Sequence, residues 1–303
     1  MPMIKLKLNT QVKPSIIYFG NPEFAVEGLR VLHESGYEIL GVVTGEDNHG
    51  RPSDVKKYAL QEGLRIFQPH SLKDPEFIDS LRGLGADLFI VVAFRMLPEV
   101  IWDMPKYGTI NAHASLLPKF RGAAPIQWTL ISGEEETGVT IFKLKHEIDT
   151  GNILSQEKIK ILPEDNLETL YSKLMEISGH LLLDVVARVD SVQEIPQSDE
   201  EATPAPKIYH SDCEVPWEKT ATEVHNFIRG MYPGWTRLED GRELKIYRTT
   251  PNPEIKNLSP GQLDTDHKTY LRFGTGDGSV DVLECQLPGK KKMSVTDFLR
   301  GWR

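Results

Sequence analysis

Asn111 and His113 are the residues of this sequence best suited to acyl chemistry. They lie two positions apart in the run GTINAHASLLP, residues 108–118, where a short apolar strand is expected to give way to a loop. Alternate residues of a strand project from the same face, so both side chains are expected to point into one crevice. An amide donor beside an imidazole can stabilise an oxyanion at an acyl centre. The alternative for an isolated pair of this kind is a strand-end histidine that only hydrogen-bonds a backbone group.

A carboxylate able to act with the imidazole follows a second strand. Residues 137–144, TGVTIFKL, predict this strand, and the loop after it, HEIDTGNIL, carries Asp149. A carboxylate beside an imidazole holds its tautomer and stabilises its cation. The alternative is that Asp149 is only a turn residue, because Asp-Thr-Gly is favourable turn chemistry.

The elements that must position these residues alternate between strands and helices. Asn21 is predicted to cap a first helix with Pro22 at its first position, and Ser53 to cap a second one. Apolar strands separated by amphipathic helices predict an α/β domain with a Rossmann-like, mostly parallel sheet covered on both faces. In such a sheet, ligands bind beyond the carboxyl ends of the strands. The predicted strands are residues 15–20, 37–43, 64–67, 87–93 and 137–144, and the predicted helices begin near residues 22, 53, 75 and 166.

Length and charge divide the chain into two parts. Its 303 residues exceed one ordinary domain, and its net charge of -9 is carried by residues 1–206, whereas residues 207–303 are close to neutral. Residues 190–206, DSVQEIPQSDEEATPAP, are polar and have no sustained hydrophobic period, which predicts a linker. The sequence thus predicts a first domain over residues 1–189 and a second over residues 207–303.

The second part has the pattern of a smaller β-barrel domain. Its strands are short and alternating (ELKIYR, TYLRF and VDVLECQL), and turn residues separate them after one helix near residues 219–230, which predicts an OB-like antiparallel barrel. The two cysteines, Cys213 and Cys285, exclude a disulfide scaffold and favour a reducing, cytoplasmic compartment. No run is long enough for a membrane helix, and no pair of histidines has metal-site spacing.

Three segments together, NAHASLLPKFRGAAPIQW, ETGVTIF and EIDTGNIL, resemble the 10-formyltetrahydrofolate-dependent formyltransferases. The resemblance implies catalytic roles for Asn111, His113 and Asp149. It implies 10-formyltetrahydrofolate as the formyl donor and co-substrate, with no metal. It also implies two folate-binding segments: the turn Ser115, Leu116, Leu117 and Pro118, and, within VVAFRMLPEV, the residues Phe94, Arg95, Met96 and Leu97.

The C-terminal run QLPGKKKMSVTDFLRGWR resembles the family members that act on aminoacylated tRNA. The resemblance implies initiator methionyl-tRNA as the acceptor in translation initiation, with Lys290, Lys291 and Lys292 against the tRNA backbone; no obligate protein partner and no membrane contact are expected. The loop at residues 44–57 is shorter and less basic than in those members, and holds Glu46 and Asp47. Two alternatives therefore stay open: an amino-sugar nucleotide as the acceptor, or a folate- or tRNA-binding relative without turnover.

Overall fold

The first part of the protein is a seven-stranded sheet with helices on both faces. The computed structural model describes residues 13–302. The strands of this part are β1 (Ile16–Gly20), β2 (Ile39–Val43), β3 (Ile66–Phe67), β4 (Leu88–Val92), β5 (Thr109–His113), β6 (Arg121–Gly122), β7 (Glu136–Lys143) and β8 (Ile153–Lys160). Strand β6 lies outside the seven-stranded sheet. The helices are α1 (Glu23–Glu34), α2 (Asp54–Gln61), α3 (Pro75–Leu84), α4 (Glu99–Trp102), α5 (Pro125–Ile131) and α6 (Leu167–Ala187).

The strand order is β3-β2-β1-β4-β5-β7-β8, and the pairings from β3 to β5 are parallel. The last two pairings are antiparallel, and the loop from residue 144 to 152 joins β7 to β8 without a crossover helix. The prediction of a mostly parallel sheet is therefore confirmed. This loop carries Asp149. Because β7 runs antiparallel to β5, with Lys143 opposite Ile110, the loop leaves β7 beside the start of β5 and folds back so that Asp149 reaches His113.

Residues of β1 alternate between two hydrophobic layers. Ile16 and Tyr18 pack into the core formed with α1, α2, α5 and α6, whereas Ile17 and Phe19 pack against α3 and α4 on the other face. All four side chains are fully buried. A strand buried on both faces reads as a continuous apolar run, which is why the sequence predicted it correctly.

The N-caps predicted for two helices differ in outcome. Ser53 caps α2 as predicted, because its hydroxyl accepts from the backbone N–H of Lys56 at 3.1 Å. The prediction that Asn21 caps α1 is wrong, since Pro22 occupies the N-cap position and makes no side-chain hydrogen bond. The side chain of Asn21 instead accepts from the backbone N–H of Gly45 at 2.6 Å, a partner 24 positions away in the chain.

The second part is an antiparallel sheet covered by helices. It contains α7 (Ala221–Met231), β10 (Gly234–Arg237), β11 (Glu243–Asn252), β12 (Leu263–Thr265), β13 (Leu271–Gly274), β14 (Ser279–Gln286), β15 (Met293–Ser294) and α8 (Val295–Gly301). The strand order is β10-β11-β14-β13-β12, and β15 pairs with β14. A separate hydrophobic core joins α7 and α8 to this sheet. The coarser prediction, a smaller antiparallel β domain, is confirmed.

Helix α7 joins the two parts by packing against α5. The side chain of Arg229, on α7, also donates to the backbone carbonyl of Asp165, in the loop before α6, at 3.3 Å. His225, one turn earlier on α7, hydrogen-bonds Thr249 at 3.0 Å. Burial first, and then the nearby positive charge of Arg229, lowers the pKa of His225 from 6.5 to about 4. The imidazole is therefore neutral in the folded protein at neutral pH.

Residues 190–206 lie against the first part. The backbones of Ile195 and Ile153 exchange two hydrogen bonds of 2.8 Å. Further along, β9 (Pro204–Ala205) pairs in parallel with β6. The segment predicted as a linker thus adds a short strand beside the loop that follows β5.

Candidate active site

A cavity of about 720 Å³ opens beyond the carboxyl ends of β4 and β5, where a doubly wound sheet places its ligands. Its walls come from the loops after β1, β4, β5 and β7 and from the starts of α5 and α6. Asn111, His113 and Asp149 all line it, so the structure brings together the three residues that the sequence singled out.

Asn111 and His113 face this cavity because they occupy alternate positions of β5. Asn111 pairs with Phe142 and His113 pairs with Thr140 on the antiparallel strand β7. Asn111 is partly exposed, whereas His113 is only 7% exposed. The carboxamide can therefore reach a bound ligand with little rearrangement, and the imidazole is held by protein on several sides.

The two ring nitrogens of His113 have different neighbours. Nε2 lies 2.9 Å from the backbone carbonyl oxygen of Phe120, and Nδ1 lies 3.7 Å from the Oδ2 of Asp149. A carbonyl oxygen only accepts, so Nε2 carries a proton and donates it there. The backbone hydrogen bond expected for an ordinary strand-end histidine is present, yet it leaves Nδ1 for the carboxylate and the cavity.

Asp149 is held in a left-handed backbone conformation with φ of 56°. Its Oδ2 accepts from the backbone N–H of Gly122 at 2.8 Å, and the residue is buried. Residues with side chains seldom adopt such a φ, and they keep it when the surroundings over-determine it. The turn role and the carboxylate role considered for Asp149 therefore coincide: the turn aims the carboxylate at His113.

The turn Ser115, Leu116, Leu117 and Pro118 is not part of the cavity lining that the described residues form. The hydroxyl of Ser115 donates to the carbonyl of Lys119 at 2.6 Å, and Leu117 packs with Phe142 and Ile153 in a small apolar cluster. Its polar groups and its apolar side chain are thus engaged within the protein. Direct folate contact by this turn stays a prediction. Two residues after the turn, the backbone carbonyl of Phe120 contacts His113.

The other predicted segment does line the cavity. Phe94, Arg95, Met96 and Leu97 follow β4, after Ala93 turns the chain with φ of 46°. The guanidinium of Arg95 donates to the carbonyl of Pro69 at 2.6 Å, which ties this loop to the one after β3. Met96 is 69% exposed and lies in the lining of the cavity.

Sequence reasoning missed Gln197 and Tyr171. The side chain of Gln197 donates to the backbone carbonyls of Asp149 at 2.8 Å and Gly151 at 2.7 Å. The hydroxyl of Tyr171, on α6, accepts from the backbone N–H of Phe24 at the first turn of α1. Tyr171 and Phe24 both line the cavity. No local signal marks either residue, because Gln197 lies in a segment without a period and Tyr171 reads as one more residue of an amphipathic helix.

Comparisons with known proteins identify the class. Residues 14–186 match the family model for formyl transferases, and residues 207–303 match the model for the formyl transferase C-terminal domain. The chain therefore belongs to the formyl transferase family, as the sequence motifs predicted. The methionyl-tRNA formyltransferase of Phocaeicola vulgatus is 48% identical over 95% of this chain and 95% of that protein. The methionyl-tRNA formyltransferase of Bacteroides fragilis is 46% identical over 95% of this chain and 94% of that protein.

Two solved structures show the same fold at low identity. The sugar 3N-formyl transferase WlaRD superposes with a TM-score of 0.69 at 19% identity, over 92% of this chain and 100% of that one. The N-formyltransferase of Helicobacter canadensis gives a TM-score of 0.69 at 20% identity, over 89% of this chain and 98% of that one.

Within residues 13–302, no three His, Cys, Asp or Glu side chains are grouped to hold a metal ion. No helix in the same range is both long enough and apolar enough to cross a bilayer.

Proposed function

We propose that this enzyme transfers a formyl group from 10-formyltetrahydrofolate to the α-amino group of initiator methionyl-tRNA. The observation that carries the proposal is the convergence of Asn111, His113 and Asp149 on one cavity at the carboxyl ends of β4 and β5. Relatives that are 46–48% identical over nearly their whole length are named methionyl-tRNA formyltransferase, which supports this acceptor. A cytoplasmic location goes with it, since aminoacylated tRNA is used there.

Asn111 and His113 would act as oxyanion donors. The neutral amine attacks the formyl carbon, and negative charge develops on the formyl oxygen. The Asn111 side chain can donate to that oxygen, and His113 can do so only from Nδ1, because Nε2 is engaged by the carbonyl of Phe120. Each such donor is worth on the order of 3 kcal/mol in other oxyanion holes.

Asp149 would hold the ring of His113 in position and help to move a proton. Its Oδ2 lies 3.7 Å from Nδ1, so the carboxylate can interact with positive charge that develops on the ring during the transfer. The attacking amine must lose a proton and the folate nitrogen must gain one when the C–N bond breaks. Asp149 can relay that proton through water. No covalent intermediate on the protein is required.

The donor would occupy the wall formed by Phe94, Arg95, Met96 and Leu97. Their backbone groups follow the end of β4 and are close to the catalytic residues, as a planar, hydrogen-bonding ring system requires. For the turn Ser115, Leu116, Leu117 and Pro118 we propose a supporting role. The hydroxyl of Ser115 holds the carbonyl of Lys119, and the carbonyl of the next residue, Phe120, accepts from His113.

We propose the domain division 1–189, 190–206 and 207–303, with the last unit as an OB-like barrel that meets the tRNA. Separate hydrophobic cores for the two units support it. Lys290 and Lys291 are exposed and free to meet phosphates. Lys292 differs, because its ammonium donates to the hydroxyl of Tyr232 at 3.0 Å and lies 5.2 Å from the ring centre of Tyr247.

The loop at residues 44–57 pairs most of its charged side chains with one another. Lys56 lies 2.8 Å from Asp47, Lys57 lies 2.8 Å from Asp54, and Glu46 lies 3.2 Å from His70. Arg51 is exposed at the end of a tight turn in which it pairs with Asn48. Of the cations in this loop, Arg51 is therefore the one we propose to contact the tRNA backbone.

The two alternatives left open by the sequence are not favoured. The sugar formyltransferases share the fold at 19–20% identity, whereas the tRNA-named relatives share 46–48%. A binding protein without turnover would not need the intact convergence of Asn111, His113 and Asp149.

An acceptor screen tests the proposal. Purified enzyme and 10-formyltetrahydrofolate are incubated with methionyl-tRNA, and in parallel with an amino-sugar nucleotide, and formylated product is measured. Formyl-methionyl-tRNA is expected, with KM rising with salt because phosphate contacts release counterions. Formylation of the sugar alone would refute the acceptor while leaving the catalytic residues in their roles.

A further inference from the structure

We propose that Gln197, in the segment between the two domains, positions the carboxylate of Asp149 for catalysis. The proposal rests on the function proposed above, because Gln197 acts through Asp149. It assigns to a polar segment without regular periodicity a direct part in building the active site.

The amide nitrogen of Gln197 holds the loop that carries the carboxylate. It donates to the carbonyl of Asp149 at 2.8 Å and to the carbonyl of Gly151 at 2.7 Å. Asp149 has φ of 56°, a conformation that its surroundings must maintain. The two hydrogen bonds hold the backbone immediately after the Cα of Asp149, so they help to fix the direction in which its side chain leaves the backbone.

The amide oxygen of Gln197 holds the strand on the other side of the carboxylate. It accepts from Nε of Arg121 at 3.1 Å and from Nη2 at 2.8 Å. The next residue, Gly122, donates its backbone N–H to Oδ2 of Asp149 at 2.8 Å. One side chain thus connects the turn that presents the carboxylate to the strand that supplies its hydrogen-bond donor.

The orientation of this amide is fixed by chemistry. Carbonyl oxygens only accept and a guanidinium only donates, so the nitrogen must face the loop and the oxygen must face Arg121. Both N–H groups and both oxygen lone pairs are then in use. Gln197 therefore has no hydrogen-bonding capacity left for a ligand, and its role is to position rather than to bind.

Glu and Ala substitutions separate the two functions of the amide. Gln197→Glu keeps an acceptor for Arg121 but removes both donors to the loop. Gln197→Ala removes all four hydrogen bonds of the side chain and adds no charge, and it replaces the first variant if that one does not fold. The matched control is Gln193→Ala, an exposed glutamine of the same segment. We expect kcat to fall by about 10- to 100-fold for either Gln197 variant, the scale known for small misplacements of catalytic groups. KM for methionyl-tRNA and for the folate donor should change little, and the control should match the wild type.

A double-mutant cycle with Asp149→Ala distinguishes positioning from general support of the fold. If Gln197 acts through Asp149, its substitution has no further effect on single-turnover rates once that carboxylate is gone. Additive losses, a rise in KM at constant kcat, or wild-type kcat in folded Gln197 variants would each overturn the proposal. If Asp149→Ala itself keeps full activity, the catalytic role proposed for Asp149 fails first, so the two failures are distinguishable.

Discussion

The His113→Ala substitution separates the chemical role of this residue from its structural one. The imidazole is 7% exposed and donates from Nε2 to the carbonyl of Phe120 at 2.9 Å. Its removal leaves that buried carbonyl without its donor, which costs about 1–3 kcal/mol of unfolding free energy. Asp149 keeps the backbone N–H of Gly122, so no buried carboxylate is left without a hydrogen bond. We therefore expect a folded, moderately destabilised variant.

Catalysis should suffer far more than stability. Loss of one oxyanion donor lowers kcat by about 10²–10³, and the KM values should change little, because the interaction strengthens in the transition state. Single-turnover formylation of methionyl-tRNA measures the rate, and denaturant unfolding measures the stability. His180→Ala, an exposed histidine on α6, is the matched control. A His113→Ala enzyme with near-normal kcat would refute the assignment, and unchanged stability would refute the role of the Phe120 hydrogen bond.

Three further outcomes follow from the structure. Gly151→Ala should destabilise the protein by about 1–3 kcal/mol in denaturant unfolding and lower kcat, because the new Cβ would overlap the carbonyl oxygen of Lys143. Folding lowers the pKa of His225 from 6.5 to about 4, so in this pH range the unfolded chain binds a proton that the folded protein does not. The free energy of unfolding should therefore drop as pH falls through this range, and His225→Gln should remove this contribution to the pH dependence of stability. Replacing Lys290 and Lys291 by Ala should leave kcat unchanged. It should reduce the slope of log KM for methionyl-tRNA against log salt concentration by up to about 0.9 for each phosphate that is no longer neutralised.

The sequence determined the elements and the reacting groups. The strands β1 and β4 are buried on both faces, and a strand buried in this way is recognisable in the sequence as a continuous apolar run. The two-residue spacing of Asn111 and His113 fixed their common face, since strand side chains alternate whatever the strand packs against. The run EIDTGNIL after β7 marked Asp149 as a carboxylate in a loop that follows a strand. These are local or periodic properties, and the chain carries them wherever it is folded.

Only the tertiary structure decided what each polar group contacts. Asn21 carries a capping signal but hydrogen-bonds Gly45, and Leu117 packs against Phe142 and Ile153, which no local pattern marks as its neighbours. Gln197 has no signal at all, yet it spans 48 residues of chain to reach the carbonyl of Asp149. Hydrogen-bond partners at such separations depend on how the elements pack, because a buried polar group must be satisfied by whatever lies beside it. The hydrophobic periodicity of the sequence predicts which face of a strand or helix a residue occupies. Only tertiary packing determines which residue it contacts there.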